Sequence, residues 1–575
     1  MIGVIPKSGQ HEVVEEFFEL FKTSWEWYVP GRAYDVVIAT ASDWGEIEAK
    51  LLLVYGSDEK AVDQRLAISV VGRHEETMLR HRDILVPVYG GLTTFSTSSF
   101  SSVCLESDSG VAGVKIQHSG QTVLRLGFDL FEEVRFLLTT GQPVRNSQIP
   151  TLDKHIELLR EWILEAGIGF VEILPSPAGY RFCVSLTHDI DFVGIRNHKF
   201  DHTMWGFLYR ATVGAVVNFL RGRLSLRQVM KCWRAVLSLP GVLLGWLEDF
   251  WEPFAWYLEV EKNLPATYFM IPFPGRPGSN VFVAHPSRRA ARYDFASLSP
   301  WMTTLTKAGC EIGVHGIDAW HSEERGREER GRIASFTHES SVGVRMHWLL
   351  RNEQTFQALE GAGYVYDSTV GYNDTIGYRS GTAQCFRPLG AKELIELPLH
   401  IQDGALFYPT NLDLPQSEAW KLCQNLTNHA KTAGGVLTVL WHDRSHAPER
   451  FWGEFYKRLV EALKSSSAWF GTALQVVTWF RKRREIKFER MEATLSSSRL
   501  QYSGAEIYPP VKIRVYPPRG VAKSDSQSEA MPRFRDIAWD GTSNKVNELV
   551  QAALVSSAHQ QHGMEYGRLL TGSLQ

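Results

Sequence analysis

Short apolar stretches that end in ionisable residues recur along this chain. In one of them Phe182, Val184 and Leu186 alternate with other residues at the period of two that is typical of a strand. The stretch ends at Asp189 and Asp191, and the same alternation places both carboxylates on one side of the chain. A carboxylate pair at the end of a strand is common in the active sites of α/β proteins, but aspartate also caps turns and helices.

The pattern is repeated further along. Apolar runs predict strands at residues 266–271, 310–315, 364–367, 396–400 and 435–442, with helical stretches between them. This alternation predicts a parallel α/β sheet or barrel, in which the C-terminal ends of the strands gather on one face. The ionisable residues expected on that face are Asp189, Asp191, His315, Asp367, His400 and His442. Their recurrence favours an active site over a single capped turn.

The hydrophobic pattern also divides the chain, which is long enough for several domains. Residues 1–150 contain short apolar runs separated by polar and Gly-rich segments, which predicts a separate α/β or mainly β domain. Residues 151–484 carry the alternating strands and helices of the predicted catalytic domain. Residues 485–575 contain Pro-Pro pairs and a Ser/Asp/Gln-rich segment around 523–530, which predicts a small, partly disordered C-terminal appendage.

A basic helical insertion is predicted at residues 203–250. Residues 203–247 contain no Asp or Glu, and their cations are Arg210, Arg221, Arg223, Arg227, Lys231 and Arg234. The apolar runs between these cations are too short to span a bilayer. One interpretation is a helix pair that lies on an anionic membrane surface. The other is an insertion that packs on the barrel and exposes a basic face to solvent.

Composition narrows the classes of function. With 61 Lys and Arg against 64 Asp and Glu, the charge balance gives no indication of nucleic-acid binding. The six cysteines form no Cys-x-x-Cys pair, which indicates reduced thiols in the cytosol and argues against a cysteine metal cluster. The N-terminus has no basic stretch followed by an apolar core. We therefore expect a cytoplasmic protein, with peripheral contact at the inner face of the membrane if residues 203–247 bind lipid.

Four short motifs follow one another between residues 180 and 460. They are Thr187-His-Asp-Ile-Asp191, Glu311-Ile-Gly-Val-His315, Gly343-Val-Arg-Met-His-Trp348 and Thr438-Val-Leu-Trp-His442. In this order they resemble the motifs of the polysaccharide deacetylases, carbohydrate esterase family 4, in their Asp-x-Asp form. The resemblance implies the NodB-homology fold, a distorted (β/α) barrel, for this part of the chain.

The resemblance also implies roles for individual residues. Asp189 would be the general base, Arg345 would orient it, and His442 would be the general acid. Asp191 and His315 would bind a metal ion. The residues expected to line the substrate groove are His188, His347, Trp348, Asp367 and His400.

One position departs from the family pattern. The family's second metal-binding histidine stands four residues after the first, and here that position is Ala319. On a helix Asp318 would share a face with His315, whereas His321 would reach the site only from a loop. A histidine on another strand is a further possibility. The candidates for the third ligand are Asp318, His321, His188 and His400.

These residues together predict a metal-dependent hydrolase that removes an N-acetyl group from an amino sugar. The substrate would be a polysaccharide or a lipid-linked glycan of cell-envelope or exopolysaccharide synthesis. Zinc suits a site of histidine and aspartate ligands, and cobalt, nickel or manganese would also fit. The alternatives are hydrolysis of another amide, as in allantoinase-like relatives, and an inactive carbohydrate-binding scaffold. The expected partners are the glycan and an anionic membrane at residues 203–247, without nucleic acid.

Overall fold

The computed structural model describes residues 1–96, 101–279, 286–490, 498–518, 534–543 and 545–554, and within these ranges the protein is mixed α/β. Contacts along the chain divide it into two compact units. Unit 1 comprises Met1–Gly179, Ser380–Leu389 and Thr478–Gln575, and unit 2 comprises Tyr180–Arg379 and Gly390–Val477. The predicted segment around residues 523–530 lies outside the described residues.

The N-terminal part of unit 1 is built on a large mixed sheet. Its elements are β1 (Ile2–Ile5), α1 (His11–Leu20), β2 (Trp25–Trp27), β3 (Tyr34–Ala39), β4 (Ala49–Tyr55), α2 (Ala61–Arg65), β5 (Val70–His81), β6 (Ile84–Phe95), β7 (Ser101–Ser107), β8 (Gly110–His118), β9 (Gln121–Leu126), α3 (Leu130–Thr139), α4 (Thr151–Glu165) and β10 (Phe170–Pro177). The strand order is β2-β1-β3-β4-β9-β8-β7-β5-β6. Pairing is parallel from β2 to β9 and antiparallel beyond β9.

Unit 2 carries the strands that the motifs predict. Its elements are β11 (Phe182–Ile190), α5 (His202–Tyr209), α6 (Ala215–Leu220), α7 (Leu226–Leu243), α8 (Phe254–Val260), β12 (Ala266–Met270), α9 (Ser299–Lys307), β13 (Glu311–Gly316), α10 (Glu323–Thr337), β14 (Val344–Met346), α11 (Thr355–Gly361), β15 (Tyr366–Asp367), β16 (Ile395–Glu396), β17 (Ile401–Gln402), α12 (Asp403–Phe407), α13 (Gln416–Ala433), β18 (Val436–Leu440), α14 (Gly453–Lys464) and β19 (Ala468–Phe470).

The sheet of unit 2 is parallel throughout. Its order is β16-β15-β14-β13-β12-β11-β18-β17, and β19 also pairs with β11. The C-terminal ends of these strands therefore lie along one edge of the sheet, which confirms the predicted parallel α/β arrangement. Within the described residues β16 and β17 do not pair with each other, so the closed barrel stays a prediction.

The central strand β11 is buried along its whole length. Its apolar side chains alternate with Cys183, Ser185 and Thr187, and both faces are covered. The Thr187 hydroxyl donates to the Val439 carbonyl oxygen at 2.9 Å, which satisfies the one side-chain donor that threonine brings into this strand. Burial on both faces is typical of a central strand in a parallel sheet.

The chain returns to unit 1 at Thr478, within α15 (Ala473–Glu485). The strands that follow are β20 (Lys487–Arg490), β21 (Ser498–Gln501), β22 (Val511–Tyr516) and β23 (Arg535–Trp539). β22 pairs antiparallel with both β10 and β23, and β20 pairs with β21. The segment predicted as an appendage after residue 484 thus contributes strands to sheets of unit 1. Residues 151–179, which precede β11, also belong to unit 1 by their contacts.

The chain between β11 and β12 forms helices. α5 continues through a π-helical turn, Arg210–Gly214, into α6, and α7 follows after a short turn. Pro240 lies inside α7. Among the described residues, no helix combines the length and the apolar character that crossing a bilayer requires.

Candidate metal centre and its catalytic neighbours

The end of β11 is held firmly in place. The Tyr293 hydroxyl donates to the Ile190 carbonyl oxygen at 2.7 Å. Directly after Asp191, the backbone N–H groups of Phe192 and Val193 donate to Asp443 Oδ2 at 2.7 and 2.9 Å. These hydrogen bonds fix the chain on both sides of Asp191, so its carboxylate leaves the strand in a defined direction.

Asp191, His315 and His347 form a group, here called the metal group, whose possible ligand atoms lie within 4.8 Å of one another. His315 Nε2 lies 3.3 Å and His347 Nε2 lies 3.6 Å from Asp191 Oδ1. Both imidazoles are buried, and their ring centroids are 4.8 Å apart. Two nitrogens and one carboxylate oxygen that converge in this way can hold a divalent metal ion.

The polar atoms of this group fit a cation. Asp191 Oδ1 is buried and has no hydrogen-bond partner among the described residues, a costly arrangement that a bound cation would relieve. Burial raises the pKa of Asp191, but the imidazoles of His347 and His315 outweigh it and hold the pKa well below its usual range. Burial lowers the pKa of His347 to about 3, so this imidazole is neutral at neutral pH and keeps a lone pair for a metal.

Each histidine is aimed by the backbone around it. His315 Nδ1 lies 2.9 Å from the Arg345 carbonyl oxygen, so a proton on Nδ1 donates there and leaves Nε2 free toward Asp191. His347 directly follows β14, where the chain turns sharply. Trp348 and Leu349 both have positive φ, 64° and 52°, which is unusual for large side chains and is the kind of backbone strain found at functional sites.

Asp189 lies beside the metal group and is bound to Arg345. Its Oδ2 is 3.7 Å from His315 Nε2, and its Oδ1 accepts a hydrogen bond from Arg345 Nη1 at 3.0 Å. The guanidinium is fully buried and also donates to Thr187 Oγ1 at 2.8 Å and to the hydroxyl and carbonyl oxygens of Ser368 at 2.9 and 3.0 Å. This network fixes the orientation of the Asp189 carboxylate.

His442, which follows β18, is paired with Asp403. Its Nδ1 lies 2.6 Å from Asp403 Oδ1, and its backbone N–H donates to Oδ2 of the same carboxylate at 2.9 Å. The Ser445 hydroxyl also donates to Asp403 Oδ2. Burial alone would lower the pKa of His442, but the negative charges of Asp403, Asp191 and Asp189 raise this pKa to about 10. The imidazole is therefore protonated at neutral pH, and its side chain is 27% exposed.

The structure does not bring Asp318 and His321 into the metal group. The segment after β13 is a series of bends and turns, and α10 begins only at Glu323, so the helical spacing that places a ligand four residues after His315 does not apply. Asp318 Oδ1 instead accepts from the Ser279 backbone N–H at 2.8 Å and lies 3.1 Å from His321 Nε2. These two side chains contact each other rather than Asp191.

His188 and His400 are also separate from the metal group. His188 has no exposed side-chain surface, and its nitrogens lie 2.8 Å from Glu261 Oε1 and 2.9 Å from the Trp441 carbonyl oxygen. His400 is buried, its Nδ1 accepts from the Thr438 backbone N–H at 3.3 Å, and its ring packs against Tyr378. Both histidines connect neighbouring elements of the sheet.

Of the other residues predicted to line the groove, Trp348 stays partly exposed next to His347, whereas Asp367 is fully buried. Asp367 accepts a hydrogen bond from the Thr369 hydroxyl, and burial raises its pKa to about 6. Glu396 lies beside it, and burial together with the charge of Asp367 raises the pKa of Glu396 well above its usual value. Neither carboxyl belongs to the group of Asp191, His315 and His347.

Sequence reasoning missed two features of the site. His347 is predicted as a groove residue, but its imidazole stands with the candidate metal ligands. Asp403 is not predicted at all, although it directly follows the short strand β17 and so obeys the same rule as Asp191 and His442. Recognising β17 would have required a strand of two residues to be read from the sequence.

Comparisons with known proteins were made on the sequence and on the fold. No protein-family model matches the chain, and no curated protein matches it. Solved structures similar to it include carbohydrate deacetylases. Agd3, a carbohydrate deacetylase, is 10% identical, with 94% of this chain and 98% of Agd3 covered and a TM-score of 0.36. A family 4 acetyl xylan esterase from Clostridium thermocellum, in complex with a cobalt ion, is 14% identical over 52% of this chain and 90% of the esterase, with a TM-score of 0.24.

The PuuE allantoinase is another similar structure. It is 14% identical, with 52% of this chain and 91% of the allantoinase covered, and the TM-score is 0.32. At these identities and TM-scores the similarity does not assign a function to this chain. The functional proposal therefore depends on the side chains at the strand ends.

Proposed function

We propose that this protein is a metal-dependent hydrolase that removes the N-acetyl group from an amino sugar in a polysaccharide or lipid-linked glycan. The observation that carries the proposal is the cluster of Asp191, His315 and His347, with Asp189 next to His315. The negative charges of Asp191 and Asp189 also help to raise the pKa of His442, which is therefore protonated. This set contains a cation site, a base and an acid, which are the groups that amide hydrolysis requires.

Asp191, His315 and His347 would hold the metal ion. A divalent cation bound there supplies Lewis acidity, which polarises an amide carbonyl and lowers the pKa of a water molecule. Two imidazole nitrogens and one carboxylate oxygen suit zinc, and cobalt, nickel or manganese are also compatible with this donor set. Because His347 supplies the third donor, alanine at position 319 does not leave the site incomplete.

The proton transfers are assigned to side chains of this chain. Asp189, oriented by Arg345, accepts a proton from the water that attacks the acetyl carbon. His442 donates its proton to the sugar nitrogen as the carbon–nitrogen bond breaks, because an amine leaves far more readily than an amide anion. Asp403 holds the protonated imidazole in place through its Nδ1. The products are acetate and a free amino sugar.

Acetate release tests this function directly. The full chain, loaded with zinc, would be incubated with oligomers of N-acetylglucosamine and N-acetylgalactosamine and, separately, with allantoin. We expect acetate and new primary amines in equal amounts from at least one glycan. Cleavage of allantoin without acetate from any glycan would favour a different amide hydrolase. Glycan binding by the metal-loaded protein with no release of acetate would favour an inactive scaffold.

Replacing Asp403 with asparagine should move the alkaline limb of the pH profile. The charge of Asp403 raises the pKa of His442, so the imidazole keeps its proton to higher pH than an isolated histidine does. Without that charge the imidazole loses its proton at lower pH, and the limb of kcat/KM should shift down by about one pH unit or more. Ser445→Ala removes a hydrogen bond to Asp403 but no charge, so the alkaline limb of kcat/KM in this variant should stay at the pH of the wild type. An unchanged limb in Asp403→Asn would mean that His442 does not act as the acid.

A further inference from the structure

The helical insertion, residues 202–247, has one apolar stripe that packs on the rest of unit 2. The residues of this inner stripe are Met204, Phe207, Ala211, Ala215, Val229, Cys232, Ala235, Leu239 and Val242. They form a core with Trp251 and with Ala447, which lies in the loop that follows His442. The spacing of three and four residues places them on one side of each helix. This side of the insertion is an ordinary protein interior.

A second apolar stripe, the outer stripe, runs along the same helices and is exposed. Its residues are Trp205, Tyr209, Val213, Val216, Val217 and Leu220 on α5, the π-helical turn and α6, and Leu226, Met230, Trp233, Leu237 and Leu244 on and just after α7. Of the 25 large apolar side chains that are exposed in the described residues, 15 lie between residues 200 and 247. Scattered single exposures are normal, but such a concentration marks an interaction surface.

The outer stripe also encloses a groove. A cavity of about 560 Å³ lies between α6 and α7, and its walls include Val213, Val216, Val217, Trp233 and Leu237. Leu237 is 80% exposed and Trp233 is 48% exposed, so much of their apolar surface faces water. Apolar surface of this kind is stabilised when an apolar partner removes it from water.

The charges around the outer stripe indicate which kind of partner would bind it. Arg227, Lys231 and Arg234 recur at spacings of four and three on one side of α7, next to the outer stripe, and all three are exposed. Arg221 and Arg223 lie exposed in the turn between α6 and α7. No acidic residue occurs between residues 203 and 247. An apolar stripe with cations along its flank is the pattern of a helix that lies in the interface of an anionic bilayer.

We propose that the helical insertion docks on an anionic lipid bilayer. The outer stripe enters the boundary between headgroups and acyl chains, and the flanking cations contact the anionic headgroups, where long basic side chains readily reach. A second copy of the chain fits this surface less well, because a symmetric dimer would place two cationic flanks next to each other without acidic residues to offset them. The docking surface is independent of the proposed reaction.

Vesicle flotation tests this docking with the full chain and without any glycan substrate. Two kinds of vesicle would be used, phosphatidylcholine mixed with phosphatidylglycerol and phosphatidylcholine alone. We expect the protein to float with the anionic vesicles and to float much less with the neutral ones. Raising the salt concentration should weaken binding to the anionic vesicles, because salt screens the attraction between exposed charges.

Two variants separate the charged and apolar contributions. Arg227→Glu, Lys231→Glu and Arg234→Glu together should lower the ratio of bound to free protein by about 100-fold or more. Trp233→Ser with Leu237→Ser should lower it by about 10-fold or more. The matched controls reverse the exposed cations Arg292, Lys307 and Lys421, or replace the exposed apolar residues Val71 and Tyr508 with serine. Both controls should float as the wild type does.

Three results would overturn the proposal. The first is no flotation of the wild-type protein with anionic vesicles. The second is flotation that ignores salt, headgroup charge and the triple charge reversal. The third is a dimer in sedimentation analysis that disappears in the Trp233 and Leu237 variant and that does not float, which would assign the outer stripe to a second copy of this chain. Acetate release from a soluble glycan should be unchanged in both insertion variants, so failure of the docking and failure of the proposed reaction give different results.

Discussion

Replacing His347 with alanine should abolish both metal binding and hydrolysis. Its Nε2 lies 3.6 Å from Asp191 Oδ1, and its pKa near 3 leaves the imidazole neutral at any pH at which the protein would work. Loss of one of three protein ligands should reduce metal affinity by more than about 100-fold, because changes in the partners of ligands alone cost 10- to 100-fold. The measurement is the metal content of the dialysed protein, with acetate release determined in parallel.

The matched controls are Asp318→Asn and His321→Ala. Both residues are expected ligands from the sequence, and both lie in the segment after β13, where they contact each other. We expect these variants to keep the metal content and most of the activity of the wild type. If they lost the metal while His347→Ala kept it, the third ligand would come from the segment after His315, and the turn after β14 would have no part in the site. Thermal unfolding of each variant with and without chelator separates metal loss from misfolding.

The strands that carry the motifs were predictable from the sequence because tertiary packing reinforces their local pattern. Residues 310–315 and 435–442 are short, largely apolar runs that each end in histidine, and they correspond to β13 and β18. Parallel strands end on one edge of a sheet, so the polar residues that terminate them are expected along the same edge. Asp189, Asp191 and His315 therefore meet in space as the pattern implies.

The same reasoning did not place His347 with the candidate metal ligands. The expectation of Asp318 assumed a helix after His315, and that of His321 assumed a loop. The chain there forms bends and turns up to Glu323, and neither side chain joins the group of Asp191, His315 and His347. His347 directly follows the three-residue strand β14, and the chain then turns at Trp348 and Leu349 with positive φ, a conformation that large side chains give no reason to expect. A strand of three residues followed by such a turn is difficult to recognise from the local sequence pattern alone.

The two interpretations of the helical insertion concern different faces of the same helices. Phe207 has no exposed surface and packs on Phe250 and Trp251, as a protein-packed insertion requires. Leu220 is 77% exposed and belongs to the outer stripe. A sequence pattern with two apolar stripes cannot assign either stripe to protein or to solvent, because the periodicity of both is helical. Only the packing of unit 2 separates them.

Replacing Asp189 with asparagine should stop turnover while the metal stays bound. Asp189 Oδ1 accepts from Arg345, and its Oδ2 lies 3.7 Å from His315 Nε2, outside the group of three candidate ligands. Asparagine keeps the shape of the side chain but cannot accept a proton from the attacking water. Loss of a general base typically lowers the rate by about 100- to 10,000-fold. The measurements are kcat for acetate release and metal content on the same preparation.

Asp191→Ala provides the contrast, because it removes the carboxylate that both imidazoles face. We expect this variant to lose the metal together with the activity, whereas Asp189→Asn loses the activity alone. Arg345→Lys should lie between the wild type and Asp189→Asn in kcat, because lysine keeps a positive charge but cannot make the three-way contact to Asp189, Thr187 and Ser368. Equal metal content and equal kcat in the two aspartate variants would show that the neighbouring carboxylates do not have separate roles as base and ligand.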